Sequence, residues 1–141
     1  MGSPEAGERG VESGQVLVVG GSGAIRERVE AALAAAGFHP TVTRVRSGRS
    51  ALSALEDEEY DAVVAIDSLV GDLTAVELLD RVRAGRDGSV PFVFVSGSTD
   101  ADVIDDAIDR GADRCLPLGD SPAWYRTLAD AVVSTVENRR T

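Results

Sequence analysis

The pattern of apolar and polar positions predicts five short strands, and each is followed by a stretch whose apolar positions recur every three or four residues. The first, third and fourth are apolar runs typical of buried strands. The second alternates and is β-branched, which indicates a half-exposed strand, and the fifth is short. The stretches after them are typical of helices that bury one face. The predicted strands are residues 16–19, 41–45, 62–66, 91–95 and 113–116.

Cap and turn residues indicate where the predicted helices begin and end. Gly37 stops the first helix, the second runs over residues 50–58, and Ser121-Pro122 opens the last. Asp72 or Thr74 caps the third helix, and Thr99 or Asp100 starts the fourth. The predicted inward faces, in helix order, are Ile25, Val29, Leu33 and Ala36; Leu52 and Leu55; Val76, Leu79 and Val82; Ile104, Ala107 and Ile108; and Leu128, Val132 and Val136.

Strands that alternate with helices predict a parallel sheet covered by helices on both faces. Five units in this length favour an α/β three-layer sandwich of the flavodoxin-like kind, with strand order 2-1-3-4-5. The predicted domain covers residues 15–139, and residues 1–14, polar and rich in Gly and Glu, are predicted to be a disordered tail. In such sheets the working site lies beyond the carboxyl ends of the strands.

Composition narrows the class of partner. The chain has 141 residues, a net charge of −10 and a pI near 4.5, which disfavours binding to nucleic-acid phosphates or to an anionic membrane. No apolar stretch approaches the length needed to span a membrane. A single cysteine excludes an intramolecular disulfide. We therefore expect a soluble, cytoplasmic protein.

The chain contains no lysine, so all 14 of its basic residues are arginines. Together with 24 acidic residues, this resembles the composition of proteins from salt-loving archaea. An acidic protein from a GC-rich genome, in which arginine replaces lysine, is the alternative explanation.

Four sequence features at matching spacing resemble the receiver domains of two-component response regulators, the CheY-like family. Asp67 directly follows the third predicted strand, and Glu77-Leu78-Leu79 begins ten residues later. Ser96-Gly97 follows the fourth strand, and Gly111-Ala112-Asp113 precedes the fifth. The resemblance extends over residues 15–139 and implies a function in phosphorelay signal transduction.

The resemblance also implies roles for individual residues. Asp67 matches the aspartate that accepts a phosphoryl group, and Ser96 matches the hydroxyl that contacts this group. Family members hold Mg²⁺ with two further acids after the first strand, and a lysine after the fifth strand neutralises the phosphoryl oxygens. Here Gly20 and Gly21 replace the acids and Leu118 replaces the lysine.

Three of the family's chemical groups are therefore absent, and Cys115 replaces the aromatic residue of the conformational switch. We expect a stand-alone, degenerate receiver, or pseudo-receiver, that is no enzyme and acts by protein–protein contact with little or no phosphorylation. The expected partner is a histidine kinase or a downstream regulator, bound through the face of the fourth helix, fifth strand and fifth helix. No cofactor is expected, and weak Mg²⁺ binding is expected only if Asp67 is phosphorylated.

Two alternatives remain open at this point. The first is a conventional response regulator that is phosphorylated on Asp67. The second is a small nucleotide or anion binder, because the glycine-rich loop from Gly20 to Gly23 lies between a strand and a helix. A simple tight turn is the favoured explanation of these glycines, since Arg26 stands where a dinucleotide-binding motif has its third glycine.

Overall fold

A computed structural model describes residues 14–20, 24–66, 73–85, 90–96, 101–119 and 121–140, apart from the side chains of residues 103, 139 and 140. The predicted tail up to residue 13, Asp67, Asp72, the Thr99-Asp100 helix start and most of the glycine-rich loop lie outside these residues. The strands are β1 (Gln15–Val19), β2 (Thr41–Val45), β3 (Ala62–Ile66), β4 (Phe92–Ser96) and β5 (Arg114–Pro117). The helices are α1 (Ile25–Ala35), α2 (Gly48–Asp57), α3 (Ala75–Ala84), α4 (Ala101–Asp109) and α5 (Pro122–Arg140).

The five strands form one parallel sheet in the order β2-β1-β3-β4-β5, which confirms the predicted flavodoxin-like topology. Strands β1, β3 and β4 are buried almost completely, as expected for central strands covered by helices on both faces. Strand β2 lies at one edge and is half-exposed, as its alternating sequence predicts.

Two apolar layers cover the sheet. One layer contains α1 and α5, with Val29, Leu33 and Val132 packed against one face of the strands. The other contains α2, α3 and α4, with Leu78 and Leu79 packed against the opposite face. Successive strand residues alternate between the two layers, which is the geometry of an α/β sandwich.

Cap chemistry sets the limits of α1, α3 and α5 as the sequence predicts, whereas α2 begins at Gly48, two residues before its predicted start, with Ser47 as its cap. Thr74 Oγ1 accepts a hydrogen bond from Glu77 N, and Glu77 Oε1 accepts one from Thr74 N, so α3 begins with a reciprocal capping box. Gly37, with φ of +90°, follows the end of α1. Ser121 Oγ accepts a hydrogen bond from Trp124 N at the start of α5.

Two predicted inward residues, Ile108 and Ala36, are wrong. Val76 packs against the core as predicted, although Leu78 is the more deeply buried residue of α3. Ile108 is 46% exposed, because α4 is short and buries Ala107, so the next residue is rotated away from the sheet. Ala36 is exposed because α1 ends one residue earlier.

At the amino end of the sheet, Asp113 and Arg83 tie three elements together. Asp113 Oδ2 accepts hydrogen bonds from Phe92 N at 2.8 Å and from Arg83 Nη2 at 3.0 Å. Arg83 also donates to the carbonyls of Val90 and Gly111, at 2.7 Å each through its Nη atoms. This network joins the end of α3 to the starts of β4 and β5.

Within the described ranges, no helix is long and apolar enough to cross a membrane.

Candidate functional site

The carboxyl ends of the five strands lie at one edge of the sheet, where the sequence places the candidate site. Ser96 ends β4 there, is 2% exposed, and pairs in register with Pro117 of β5. Ile66 ends β3, between β1 and β4. Asp67 follows Ile66 in the sequence but, like Gly21, lies outside the described residues. The structure therefore places Ser96 as predicted and leaves the phosphoacceptor as a prediction from sequence.

Gly20, the first of the two glycines that replace the acids, forms a turn with a special backbone conformation. Its φ is +87°, a region that residues with a side chain rarely adopt. Gly20 N donates a hydrogen bond of 2.9 Å to Val45 O, which extends the pairing of β1 with β2. An aspartate at this position would therefore carry backbone strain.

Arg44 brings a positive charge to this turn. Its Nε donates a 3.1 Å hydrogen bond to Gly20 O, and the side chain is half-buried. The site where the family has acids that bind a cation thus has a guanidinium that contacts the backbone. Arg44 was not identified from the sequence, although an arginine within the short second strand could have indicated a charged group near the end of β1.

The segment after β5 differs from the family in a second way. Leu118, in place of the lysine, is 50% exposed, and its N donates a 2.8 Å hydrogen bond to Ser96 O. Trp124 Nε1 donates a 2.6 Å hydrogen bond to Pro117 O, and this bond links α5 to the end of β5. A Cβ on Gly119 would lie 2.6 Å from Trp124 Cδ1. Position 119 is therefore glycine because the indole packs directly against its backbone.

Trp124 and Tyr125, at the start of α5, are both half-buried. Their ring centroids are 4.9 Å apart at an interplanar angle of 84°, an edge-to-face contact. Sequence reasoning did not identify Trp124 as the anchor of the loop after β5, because this hydrogen bond depends on how α5 is placed against β5.

Cys115 lies on β5 and packs partly against the layer formed by α2, α3 and α4. Burial raises the pKa of its thiol. The uncharged thiol is therefore favoured, which fits a packing role rather than a nucleophilic one.

Comparison with known proteins identifies the family. A family model described as the response regulator receiver domain matches residues 16–117. The chain therefore belongs to the receiver domain family of two-component signalling, as the motifs predict. No match is found among curated proteins.

Solved structures confirm the fold. The chemotaxis response regulator CheY4 of Vibrio cholerae has a TM-score of 0.70 and 23% identity, over 84% of this chain and 97% of that one. The phosphorylated cyanobacterial phytochrome response regulator RcpA has a TM-score of 0.76 and 18% identity, over 92% and 97%. The signal receiver domain of a histidine kinase from Syntrophus aciditrophicus has a TM-score of 0.74 and 20% identity, over 91% and 94%.

Proposed function

We propose that this receiver domain is a degenerate variant that signals by protein–protein contact, with little or no phosphorylation. The observation that carries the proposal is the hydrogen bond from Arg44 Nε to Gly20 O, at the end of β1 where family members place carboxylates. The proposed domain is residues 15–139, preceded by a tail of residues 1–14, in a cytoplasmic protein.

A Mg²⁺ ion does not fit the groups at the end of β1. Mg²⁺ requires oxygen ligands, usually one or two carboxylates in addition to phosphate oxygens and water. Gly20 offers only a backbone carbonyl, which already accepts a hydrogen bond from a guanidinium, and Gly21 has no side chain. The positive charge of Arg44 also repels a cation. We infer that the domain has no resident cofactor and binds Mg²⁺ weakly, and only if Asp67 is phosphorylated.

The absence of a lysine after β5 also disfavours phosphorylation of Asp67. The exposed Leu118 cannot neutralise the charge that develops on phosphoryl oxygens during transfer. Removing one such stabilising group typically slows catalysis about 100- to 1000-fold. With the metal and the lysine both affected, phosphotransfer to Asp67 is expected to be negligible, and the domain is not expected to act as an enzyme.

The proposed partner is a signalling protein, either a histidine kinase or a downstream regulator, and neither a nucleic acid nor a membrane. The proposed contact is the face of α4, β5 and α5. The exposed Ile108 on α4 supports this assignment, since a large apolar side chain in water is available for burial against another protein.

A conventional response regulator remains the second candidate. Ser96 favours it, because this residue lies at the end of β4 as the phosphoryl-contacting hydroxyl requires. The structurally similar RcpA was itself crystallised in a phosphorylated state.

A nucleotide or anion site has less support. Arg26, which follows the glycine-rich loop, lies near Glu27 and Glu30, at 3.9 and 3.8 Å from their carboxylate oxygens. These acids reduce the attraction of Arg26 for an anion.

Incubation with acetyl phosphate and Mg²⁺, followed by intact-mass spectrometry, tests the proposal. We expect no added phosphoryl group, with an active receiver domain phosphorylated in parallel as the positive control. A stable phosphoryl adduct that disappears in Asp67→Ala would establish the conventional response regulator instead. An adduct that persists in Asp67→Ala would show modification elsewhere and leave Asp67 inactive.

A further inference from the structure

A groove lies between α1 and α5, on the layer opposite to α4. Its volume is about 430 Å³, and alanines of α1 form its apolar side. Tyr125, Arg28 and Arg126 line the rest of it. The lining residues are Arg28, Ala31, Ala32, Ala35, Pro122, Tyr125 and Arg126.

The charge of this groove is opposite to that of the whole chain. Within the described part of the chain, the charged residues that line it are both arginines, whereas the protein has a net charge of −10. Arg28 Cζ lies 6.0 Å from the centroid of the Tyr125 ring, so a cation–π contact orients this guanidinium beside the groove. The groove therefore suits an occupant with an apolar side chain flanked by carboxylates.

Helix α4 of the same chain has this chemistry. Its exposed face carries Ile108, 46% exposed, with the exposed Asp105 and Asp109 beside it. Asp105 and Asp109 are four residues apart, and like charges at this spacing repel each other and destabilise a helix. An arginine from another molecule would relieve this repulsion, as Arg110 does for Asp106 at 2.9 Å within the chain.

We propose that α4 of one molecule docks into the α1–α5 groove of a second copy, with Ile108 in the apolar part and Asp105 and Asp109 against Arg28 and Arg126. Because the two surfaces lie on opposite layers of the sheet, the association is head-to-tail and leaves one groove and one α4 free at its ends. This proposal requires no phosphorylation, so its test is distinguishable from the acetyl phosphate test, and a signalling partner on α4 would compete with the second copy for Ile108.

Sedimentation velocity of the full chain over a wide concentration range tests the association. We expect the sedimentation coefficient to rise with concentration. The double variant Arg28→Glu/Arg126→Glu, which removes the groove charge, should weaken the association by about tenfold or more. Ile108→Ser, which alters only an exposed residue of α4, should weaken it to a similar extent. The matched control is Arg81→Glu, an exposed arginine of α3, whose effect should be much smaller.

Mixing the two groups of variants separates a head-to-tail contact from a symmetric one. The groove variant keeps an intact α4, and Ile108→Ser keeps an intact groove. Each should be monomeric alone, and an equimolar mixture should form a dimer but no larger species. Circular dichroism of each variant establishes that it is folded before mixing. A wild-type chain that stays monomeric at all concentrations, or an association that neither variant weakens, would overturn the proposal, as would variants that fail to complement each other.

Discussion

The two ends of the sheet differ in how closely their residues match the motifs of the receiver family. At the amino end, Asp113 of the Gly111-Ala112-Asp113 motif is kept and forms a charged network with Arg83 and the backbone of Phe92. At the carboxyl end, Gly20 and Leu118 stand in place of an acid and a lysine, and Arg44 contacts the turn after β1.

This difference separates two kinds of family residue. Asp113 contributes to the fold by accepting a backbone hydrogen bond and an arginine, and such a contribution does not depend on phosphorylation. In the proposed function, Gly20 and Leu118 replace residues that serve phosphoryl chemistry, and neither belongs to the apolar layers that cover the sheet. A family match can therefore rest on the residues that form the fold while the residues for the reaction have changed.

The largest expected loss of stability comes from a substitution at the amino end of the sheet. Arg83→Ala removes the partner of Asp113 and the donors to the Val90 and Gly111 carbonyls. Because both side chains of the ion pair are about four-fifths buried, we expect a loss of about 3 kcal/mol in the free energy of unfolding, measured by urea denaturation. Arg110→Ala is the matched control, since its ion pairs are exposed to solvent and should contribute much less. Equal losses for both variants would contradict the structural role of the network.

The second effect concerns the turn after β1. Gly20→Asp restores an acid where the family has one, but the φ of +87° makes the new side chain costly. We expect a loss of about 2 kcal/mol in urea denaturation. Gly37→Ala calibrates the backbone cost, because Gly37 has a similar φ and a Cβ there would meet nothing within 4 Å. A Gly20→Asp variant as stable as the wild type would show that the turn adapts readily to an acid.

The loop after β5 gives a smaller effect. Gly119→Ala places a Cβ against the Trp124 indole and should displace the ring from Pro117 O. We expect a loss of about 1 kcal/mol, together with a shift in the emission of this sole tryptophan. Unchanged emission would mean that the indole does not pack on Gly119. Ser121→Ala, at the same end of α5, controls for a general loosening of the helix start.

The smallest effect is on the pH dependence of stability through Cys115. Burial raises the pKa of the thiol in the folded state, so the unfolded chain loses this proton at lower pH than the folded one. Stability is therefore unaffected by this group at neutral pH and falls as the pH rises above the unfolded pKa, near 9.0. Cys115→Ser should reduce the loss of stability between pH 8 and 10, measured by thermal denaturation at each pH. An identical pH profile would contradict the assignment to Cys115.

The sequence predicts the fold well because its main signals are local. The strand pattern and the Thr74 cap of α3 depend on residues close together in the chain, and both are confirmed. The inward prediction for Ile108 failed because the pattern was ambiguous. In a nine-residue helix, apolar residues spaced by three or four positions do not determine which neighbour of Ala107 is buried.

The site is harder to predict because its contacts join distant segments. Arg44 and Gly20 are 24 residues apart, and their contact depends on the pairing of β1 with β2. The Trp124 anchor similarly depends on the placement of α5 against β5. The location of Ser96 was predictable because a buried strand points its last residue to the carboxyl edge, whereas the role of Asp67 stays a prediction.

Titration of the full chain with Mg²⁺, followed by isothermal calorimetry, tests most directly whether the carboxyl end has lost its metal-dependent chemistry. We predict no saturable binding, and no difference between the wild type and Asp67→Ala. Saturable binding of Mg²⁺ that is lost in Asp67→Ala would contradict the account, since it would show that a metal site exists despite Gly20, Gly21 and the guanidinium of Arg44.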